Sequence, residues 1–102
     1  MDNNAPCTVV LLGKMKPGAP EMPEFQEYMS RSAANSEAHG GKLIAQYQFA
    51  ENLGHGATPD MMFVGEYASR EIAESVFTND EYMSIKPLRD AAFEEVKILI
   101  CA

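Results

Sequence analysis

The sequence predicts an α+β domain with one four-stranded antiparallel sheet, and two observations lead to this prediction. Strand-like apolar runs and amphipathic helical stretches follow one another in the order β-α-β, and this order occurs twice. Two of the four runs are apolar on both faces, whereas the other two alternate apolar and polar residues. The order is that of a ferredoxin-like sheet. Because two helices can cover only one face of four strands, the pattern also predicts a partner for the other face.

The strand-like runs indicate which strands are central. Successive residues of a strand point to opposite faces, and in Cys7–Leu12 and Met61–Tyr67 both sets are largely apolar. Lys42–Leu53 and Val96–Cys101 alternate instead, as edge strands do. These two kinds of strand predict the sheet order 4-1-3-2, with Gly54–Pro59 as a hairpin connection. One face of the second strand is predicted to consist of Leu43, Ala45, Tyr47 and Phe49.

A first helix is predicted between the first two strands. Glu21, Pro23 and Glu24 suit its first turn, since proline there loses no needed donor and acids face the positive end of the helix dipole. Gly40 can adopt the left-handed conformation that ends a helix, so the helix is predicted to end at His39–Gly41. Its predicted buried stripe consists of Met22, Phe25, Met29 and Ala33.

A second, shorter helix is predicted between the third and fourth strands. Ser69 is placed to cap its N-terminus, and apolar residues at helical spacing continue to Phe77. Asn79–Asp80 interrupts the pattern. We expect Glu81–Asp90 to form one or two further turns around Pro87 before the last strand.

The composition predicts one domain, residues 1–102, that does not bind polyanions. Fifteen acidic and eight basic residues give a net charge of −7, which disfavours nucleic acid and anionic membranes as partners. The N-terminus has neither the basic region nor the apolar stretch of a secretory signal, so a cytoplasmic location is expected. Cys7 and Cys101 could be neighbours across the first and fourth strands, or they could be two reduced, buried small hydrophobes.

Glu66, Tyr82 and Arg89 form one candidate ligand-binding set. A carboxylate at Glu66, among apolar neighbours, needs a cation or hydrogen-bond donors. Arg89 is the candidate cation, and Tyr82 precedes it by one or two helical turns. The set could fix the helix against the sheet, or it could orient a carboxylate or phenolate ligand. We expect Arg89 to lie at the inner edge of any functional pocket, close to Glu66 or Tyr82.

Other side chains could also contribute to a site. His39 could act as a general base, although stabilisation by the C-terminal end of the helix dipole also explains it. Tyr28, like Tyr82, offers a pocket both an apolar face and a hydroxyl. His55 lies in a glycine-flanked loop and is expected to be exposed. The separated histidines and the lack of a phosphate-cradling glycine loop predict that no metal, haem or flavin cofactor is bound.

Several segments between Tyr28 and the C-terminus share their order and spacing with a known family. These segments are His39–Lys42, Glu51–Gly54 with Pro59, Phe63–Ser69, Asn79–Tyr82 and Leu88–Arg89. They resemble the domain-of-unknown-function family numbered 1330. The resemblance implies a dimeric α+β barrel, in which the bare faces of two ferredoxin-like sheets pack together, and therefore a homodimer. Relatives in that superfamily include cofactor-free monooxygenases, lactone isomerases and haem-binding enzymes.

Two classes of function remain open. In the first, a small apolar or acidic organic molecule binds in a pocket between the helices and the sheet, either simply as a ligand or as the substrate of a cofactor-free monooxygenase or isomerase-like enzyme. In the second, the protein is a non-catalytic homodimer with a structural or regulatory role. A pocket of roughly a few hundred Å³ with converging polar groups would favour the first class, and a filled core the second.

Overall fold

Four antiparallel strands form one sheet in the computed structural model, which describes residues 5–102. In chain order the elements are β1 (Cys7–Met15), α1 (Pro23–Ala38), β2 (Lys42–Gln48), β3 (Met61–Tyr67), α2 (Arg70–Val76), α3 (Asp80–Ala92) and β4 (Phe93–Ile100). The strand order β2-β3-β1-β4 confirms the predicted 4-1-3-2 order, read from the opposite edge. The α+β ferredoxin-like prediction is therefore correct.

The helices cover one face of the sheet. Val9 of β1 is completely buried and packs in a cluster with Tyr67 of β3 and Val76 of α2. The next residue, Val10, points to the other face, where it lies opposite Val64 of β3 and Leu99 of β4. Within residues 5–102 no helix covers this second face, which we call the open face.

The edge strand β2 differs from its prediction in length and in facing. It ends at Gln48 and not at Leu53. A bulge between Leu43 and Ala45 places Leu43 opposite Gly65, on the helix side, but Ala45 opposite Val64, on the open face. The predicted single face of Leu43, Ala45, Tyr47 and Phe49 is therefore wrong, because one extra residue in a bulge reverses the facing of all that follow.

Strands β1 and β4 are also longer than predicted. β1 continues to Met15, where its backbone N–H donates to the Asp60 carboxylate at 2.6 Å. β4 begins at Phe93, directly after α3, and not at Val96. The predicted connection between β2 and β3 is observed, and these two strands pair antiparallel.

Helix α1 begins and ends where the sequence predicts, and most of its predicted stripe packs against the core. Gly40 has a φ of 77°, and the Gly41 N–H donates to the Ser36 carbonyl at 2.9 Å, which closes the helix. Met22, Phe25 and Met29 are partly buried against the core, whereas Ala33 is exposed. The most buried residues are Tyr28 and Asn35, which the prediction left out, because α2 and α3 pack beside α1.

Helix α3 is much longer than the predicted one or two turns. Asn79 caps it by accepting a hydrogen bond from the Tyr82 N–H at 2.8 Å, and the helix continues for 13 residues through Pro87. An internal proline costs roughly 3 kcal/mol. Burial of Tyr82 and Ile85, which are 1% and 0% exposed, offsets that cost. At α2, Ser69 caps the helix as predicted, accepting from the Ile72 N–H at 3.2 Å.

The two cysteines lie on opposite faces of the sheet. Cys7 is buried beneath the helices and Cys101 is exposed, and both thiols are free. The Cys101 N–H donates to the Thr8 carbonyl at 2.9 Å, which places Cys101 beside Thr8 on the open face. Cys7 is thus a buried small hydrophobe and Cys101 is not. Among the described residues, no helix has the length and apolar character needed to cross a bilayer.

Candidate functional site

A cavity of about 260 Å³ separates the inner face of α1 from β1 and β3. Most of its wall is apolar: Leu11, Met29, Met61, Phe63, Phe77, Phe93 and Val96 contribute to it. No residue of α3 lines the cavity. The space therefore lies on the β2 and β3 side of the helix layer.

Small side chains create this space. Gly13 of β1 and Gly65 of β3 occupy helix-facing positions, where larger residues would fill a core. Ser32, Ala33 and Ser36 line the cavity from α1. Because neither α1 nor the sheet carries a large side chain at these positions, the two are not in contact there.

The end of the cavity near the C-terminus of α1 is polar. Ser36 Oγ and the Tyr67 hydroxyl lie 2.8 Å apart. Gly41 passes so close that a Cβ there would overlap Ser36 Oγ and lie 2.6 Å from the Tyr67 ring. Burial raises the pKa of Tyr67, although its hydrogen bond with Ser36 acts in the opposite direction. The phenol therefore stays protonated at neutral pH.

The mouth of the cavity lies along the exposed side of α1 and the start of β2. Of the lining residues, Ala33, Glu37, Lys42 and Leu43 are exposed. Glu37 places a carboxylate at the mouth, whereas Lys42 lies opposite Glu66 and points its side chain to the open face. The mouth therefore does not favour an anionic ligand. Leu43, which is 63% exposed, offers an apolar surface at the entrance.

Three of the five candidate residues from the sequence form a buried cluster between α1 and α3. The hydroxyls of Tyr28 and Tyr82 are 2.9 Å apart, and Arg89 Nη1 donates to the Tyr82 hydroxyl at 3.3 Å. Burial raises the pKa of Tyr28, and its hydrogen bond with Tyr82 raises it further. Arg89 thus lies close to Tyr82, as expected. Of the five candidates only Tyr28 lines the cavity.

The expected pairing of Glu66 with Arg89 is wrong. Tyr67 points toward the helices, so its neighbour Glu66 points to the open face, where Thr8 and Lys42 lie opposite it. Arg89 instead has Asp90 as its ion partner, with Arg89 Nε and Asp90 Oδ1 3.0 Å apart. The sheet therefore separates the two side chains that the sequence interpretation joined.

His39 occupies the C-terminal cap position of α1 and does not line the cavity. Its Nδ1 lies 2.8 Å from the Asn35 carbonyl oxygen. A carbonyl can only accept, so Nδ1 carries the hydrogen. This contact fits the structural explanation of His39. His55 is exposed, as expected.

Sequence reasoning missed Ser36, Tyr67 and Gly65. A usable signal was present, because a glycine inside an apolar strand often marks a place where a ligand or another backbone comes close. Gly65 is such a residue, two positions before Tyr67 on the same face of β3. Within residues 5–102, no group of three or more His, Cys, Asp or Glu side chains is arranged to hold a metal ion.

Comparison with known proteins identifies a family and a shared fold. The sequence profile of the family Domain of unknown function (DUF1330) matches residues 18–102. No curated protein matches. A protein of unknown function from Rhodopseudomonas palustris is 23% identical, with a TM-score of 0.80 over 98% of this chain and 83% of that one.

Two other solved structures share the fold at lower identity. A cofactor-independent oxygenase from Streptomyces nogalater is 10% identical, with a TM-score of 0.66 over 96% of this chain and 92% of that one. A dabb family protein with a ferredoxin-like fold from Mesorhizobium loti is also 10% identical, with a TM-score of 0.65 over 95% of each chain.

Proposed function

The chain belongs to the family Domain of unknown function (DUF1330), and on this premise we propose that it binds a small, mainly apolar organic molecule between α1 and the sheet. The observation that carries the proposal is the cavity of about 260 Å³ with its largely apolar wall. The cavity opens to water through its mouth, and an apolar molecule that displaces this water covers apolar side chains, which favours binding.

The volume limits the size of the ligand. An engineered cavity of about 150 Å³ in another protein holds benzene, so the present space suits a molecule of on the order of ten non-hydrogen atoms. One substituted aromatic ring meets that limit. A protein that served only as a structural homodimer would have no use for such a space, so the cavity supports the ligand-binding class.

Catalysis in the same cavity is the second candidate. Glu37 lines the mouth and is the carboxylate best placed to accept a proton from a bound molecule. A cofactor-free monooxygenase or isomerase-like reaction would need such a base. The likeness to the Streptomyces nogalater oxygenase concerns the fold and adds no argument for its chemistry.

We infer further that two copies associate through their open faces. Apolar side chains on that face form one continuous patch: Val10, Leu12, Ala45, Met62, Val64 and Leu99. Tyr47 extends the patch and is 55% exposed in the single chain. A contiguous apolar surface of this kind requires a partner, and a second copy presents the same surface.

Ligand binding is tested with α-methylstyrene, a neutral one-ring probe, by calorimetric titration of the unaltered protein and of two variants. Ala33→Leu places bulk at the cavity mouth, whereas Ala34→Leu makes the same change one residue along, where the side chain does not line the cavity. We expect saturable binding that Ala33→Leu weakens at least roughly tenfold and Ala34→Leu leaves unchanged. Absence of saturable binding, or equal loss in both variants, would contradict the proposal.

Self-association is tested by analytical ultracentrifugation at micromolar concentration. Leu99→Lys places a charge on the open face and is expected to shift the protein toward the monomer. Leu53→Lys makes the same change in an exposed loop, where Leu53 is 90% exposed, and is expected to leave the dimer intact. A monomeric unaltered protein would refute this inference.

A further inference from the structure

The hydroxyl pair at the polar end of the cavity has one hydrogen more than it uses. Each hydroxyl carries one hydrogen, and the contact between Ser36 Oγ and the Tyr67 oxygen uses one of the two. Within residues 5–102 neither oxygen has another hydrogen-bond partner. Whichever residue donates to the other, one hydroxyl hydrogen is left without an acceptor.

This remaining hydrogen belongs to a hydroxyl that lines the cavity, either that of the buried Tyr67 or that of the half-buried Ser36. Both residues line the cavity, and Tyr67 is only 4% exposed. A buried donor without an acceptor is destabilising, so the site favours an occupant that supplies one. The hydrogen bond inside the pair also polarises the second hydroxyl and makes it a better donor.

We propose that the Ser36–Tyr67 pair binds a neutral carbonyl oxygen, so that the ligand is a compact apolar ketone or aldehyde with its carbonyl group near the C-terminal end of α1. The inference rests on the proposed ligand-binding function and adds the ligand's chemical class. The apolar wall takes the hydrocarbon part, and the hydroxyl pair fixes the ligand's orientation.

The charges around the cavity favour a neutral oxygen over a carboxylate. Glu37 places a negative charge at the mouth, and the side chain of Lys42 points to the open face. Arg89, a largely buried cation, bonds to Tyr82 and Asp90 and does not line the cavity. A carboxylate in this mostly apolar space would therefore lack the cation that its burial requires.

Acetophenone and α-methylstyrene are a matched pair of probes, because they have the same shape and differ by a carbonyl oxygen in place of a methylene carbon. We expect the unaltered protein to bind acetophenone roughly three- to tenfold more tightly, beyond the difference in their transfer from water to an apolar solvent. Equal corrected affinities would overturn the inference and leave the proposed function intact. If neither probe binds, the proposed function fails and the inference fails with it.

The double variant Ser36→Ala/Tyr67→Phe removes both hydroxyls and little volume. It is expected to bind α-methylstyrene as before and to lose the preference for acetophenone. Ser32→Ala is the control on the same helix face, because the Ser32 hydroxyl already donates to the Met29 carbonyl at 3.3 Å. That control should change both affinities together and keep their ratio. A preference that survives in the double variant would overturn the inference.

A spectroscopic measurement needs no variant and so does not depend on how the substitutions affect folding. The infrared carbonyl stretch of bound acetophenone should lie at lower wavenumber than in hexane, because a hydrogen bond weakens the C=O bond. A stretch at the hexane position would mean that no donor reaches the oxygen, which contradicts the inference.

Discussion

The two halves of the helix-covered side of the sheet are built in opposite ways. Beneath and beside α3, Tyr82 and Ile85 are almost completely buried and the layer is filled. Between α1 and β3, glycine and serine occupy the facing positions and the layer is hollow. The helix α1 borders both halves. We refer to these as the filled half and the hollow half.

The contrast shows that one backbone arrangement can serve stability in one half and leave the other free for binding. α1 is held through its contact with α3, where the Tyr28 and Tyr82 hydroxyls lie 2.9 Å apart. Because that contact positions the helix, its opposite edge can stand away from the sheet. The filled half thus supports the hollow one.

The largest expected effect is a difference in stability between truncating a side chain in the filled half and truncating one in the hollow half. Ile85→Ala should lower the free energy of unfolding by about 3–4 kcal/mol, since it opens a cavity in a closely packed region. Met29→Ala, which enlarges a space already present, should cost only about 1–2 kcal/mol. Urea denaturation of both variants measures the difference. Equal costs would mean that the two halves do not differ in packing.

A smaller effect concerns the polar cluster of the filled half. Arg89→Met removes a donor from the buried Tyr82 hydroxyl and should lower stability by about 1–2 kcal/mol. Arg70→Met is the control, because Arg70 pairs with Glu74 on the surface of α2 and its side chain is 56% exposed. Thermal denaturation should separate the two variants. If Arg89→Met has no more effect than Arg70→Met, the cluster does not contribute to stability.

Adding a methyl group to a strand glycine should have opposite effects in two places. A Cβ at Gly65 would lie 3.6 Å from its nearest atom, the Lys42 carbonyl oxygen, so Gly65→Ala should stabilise the protein by about 0.5 kcal/mol through reduced unfolded-state entropy. A Cβ at Gly13 would lie 3.1 Å from the Phe93 ring, so Gly13→Ala should cost about 1 kcal/mol. Urea midpoints that move in the same direction would contradict this contrast.

The smallest effect is a pH dependence at the solvent edge between α1 and α3. Arg31 binds Glu81 at 3.0 Å, and this hydrogen-bonded pair lowers the pKa of Glu81. A lowered carboxyl pKa gives stability that is present above the ordinary glutamate value and lost as pH falls through the lowered one. Glu81→Gln should therefore lower the melting temperature slightly at neutral pH, and the difference should vanish once the pH falls below the lowered pKa of Glu81. A difference that persists at low pH would rule out this origin.

Much of the fold was predictable because strand facing follows a period of two. The doubly apolar pattern around Val9 and Val10 is enough to place β1 at the centre, and Gly40 marks the end of α1. The bulge at Ile44 was not predictable, since a local insertion leaves no mark on the composition. Nor was the length of α3, because the packing of Ile85 outweighs the local cost of Pro87.

The candidate site was predictable only in part. Tyr28 lines the cavity, but sequence reasoning looks for large or charged groups, and this cavity exists where such groups are missing. Gly65 and Ser36 carry the relevant information by being small. The Glu66 error had a simpler cause: adjacent strand residues face opposite ways, so Glu66 and Tyr67 could not both serve the helix side.

The bulge in β2 also bears on aggregation. β2 is an edge strand, with exposed Leu43 and Ile44, and a straight apolar edge would be a template for strands of other chains. The register shift between Leu43 and Ala45 interrupts the regular spacing of backbone donors and acceptors, and Lys42 places a charge beside it. An incoming strand would find no long regular row to pair with, so the same irregularity that turns Tyr47 toward the open face also protects the sheet edge from uncontrolled pairing.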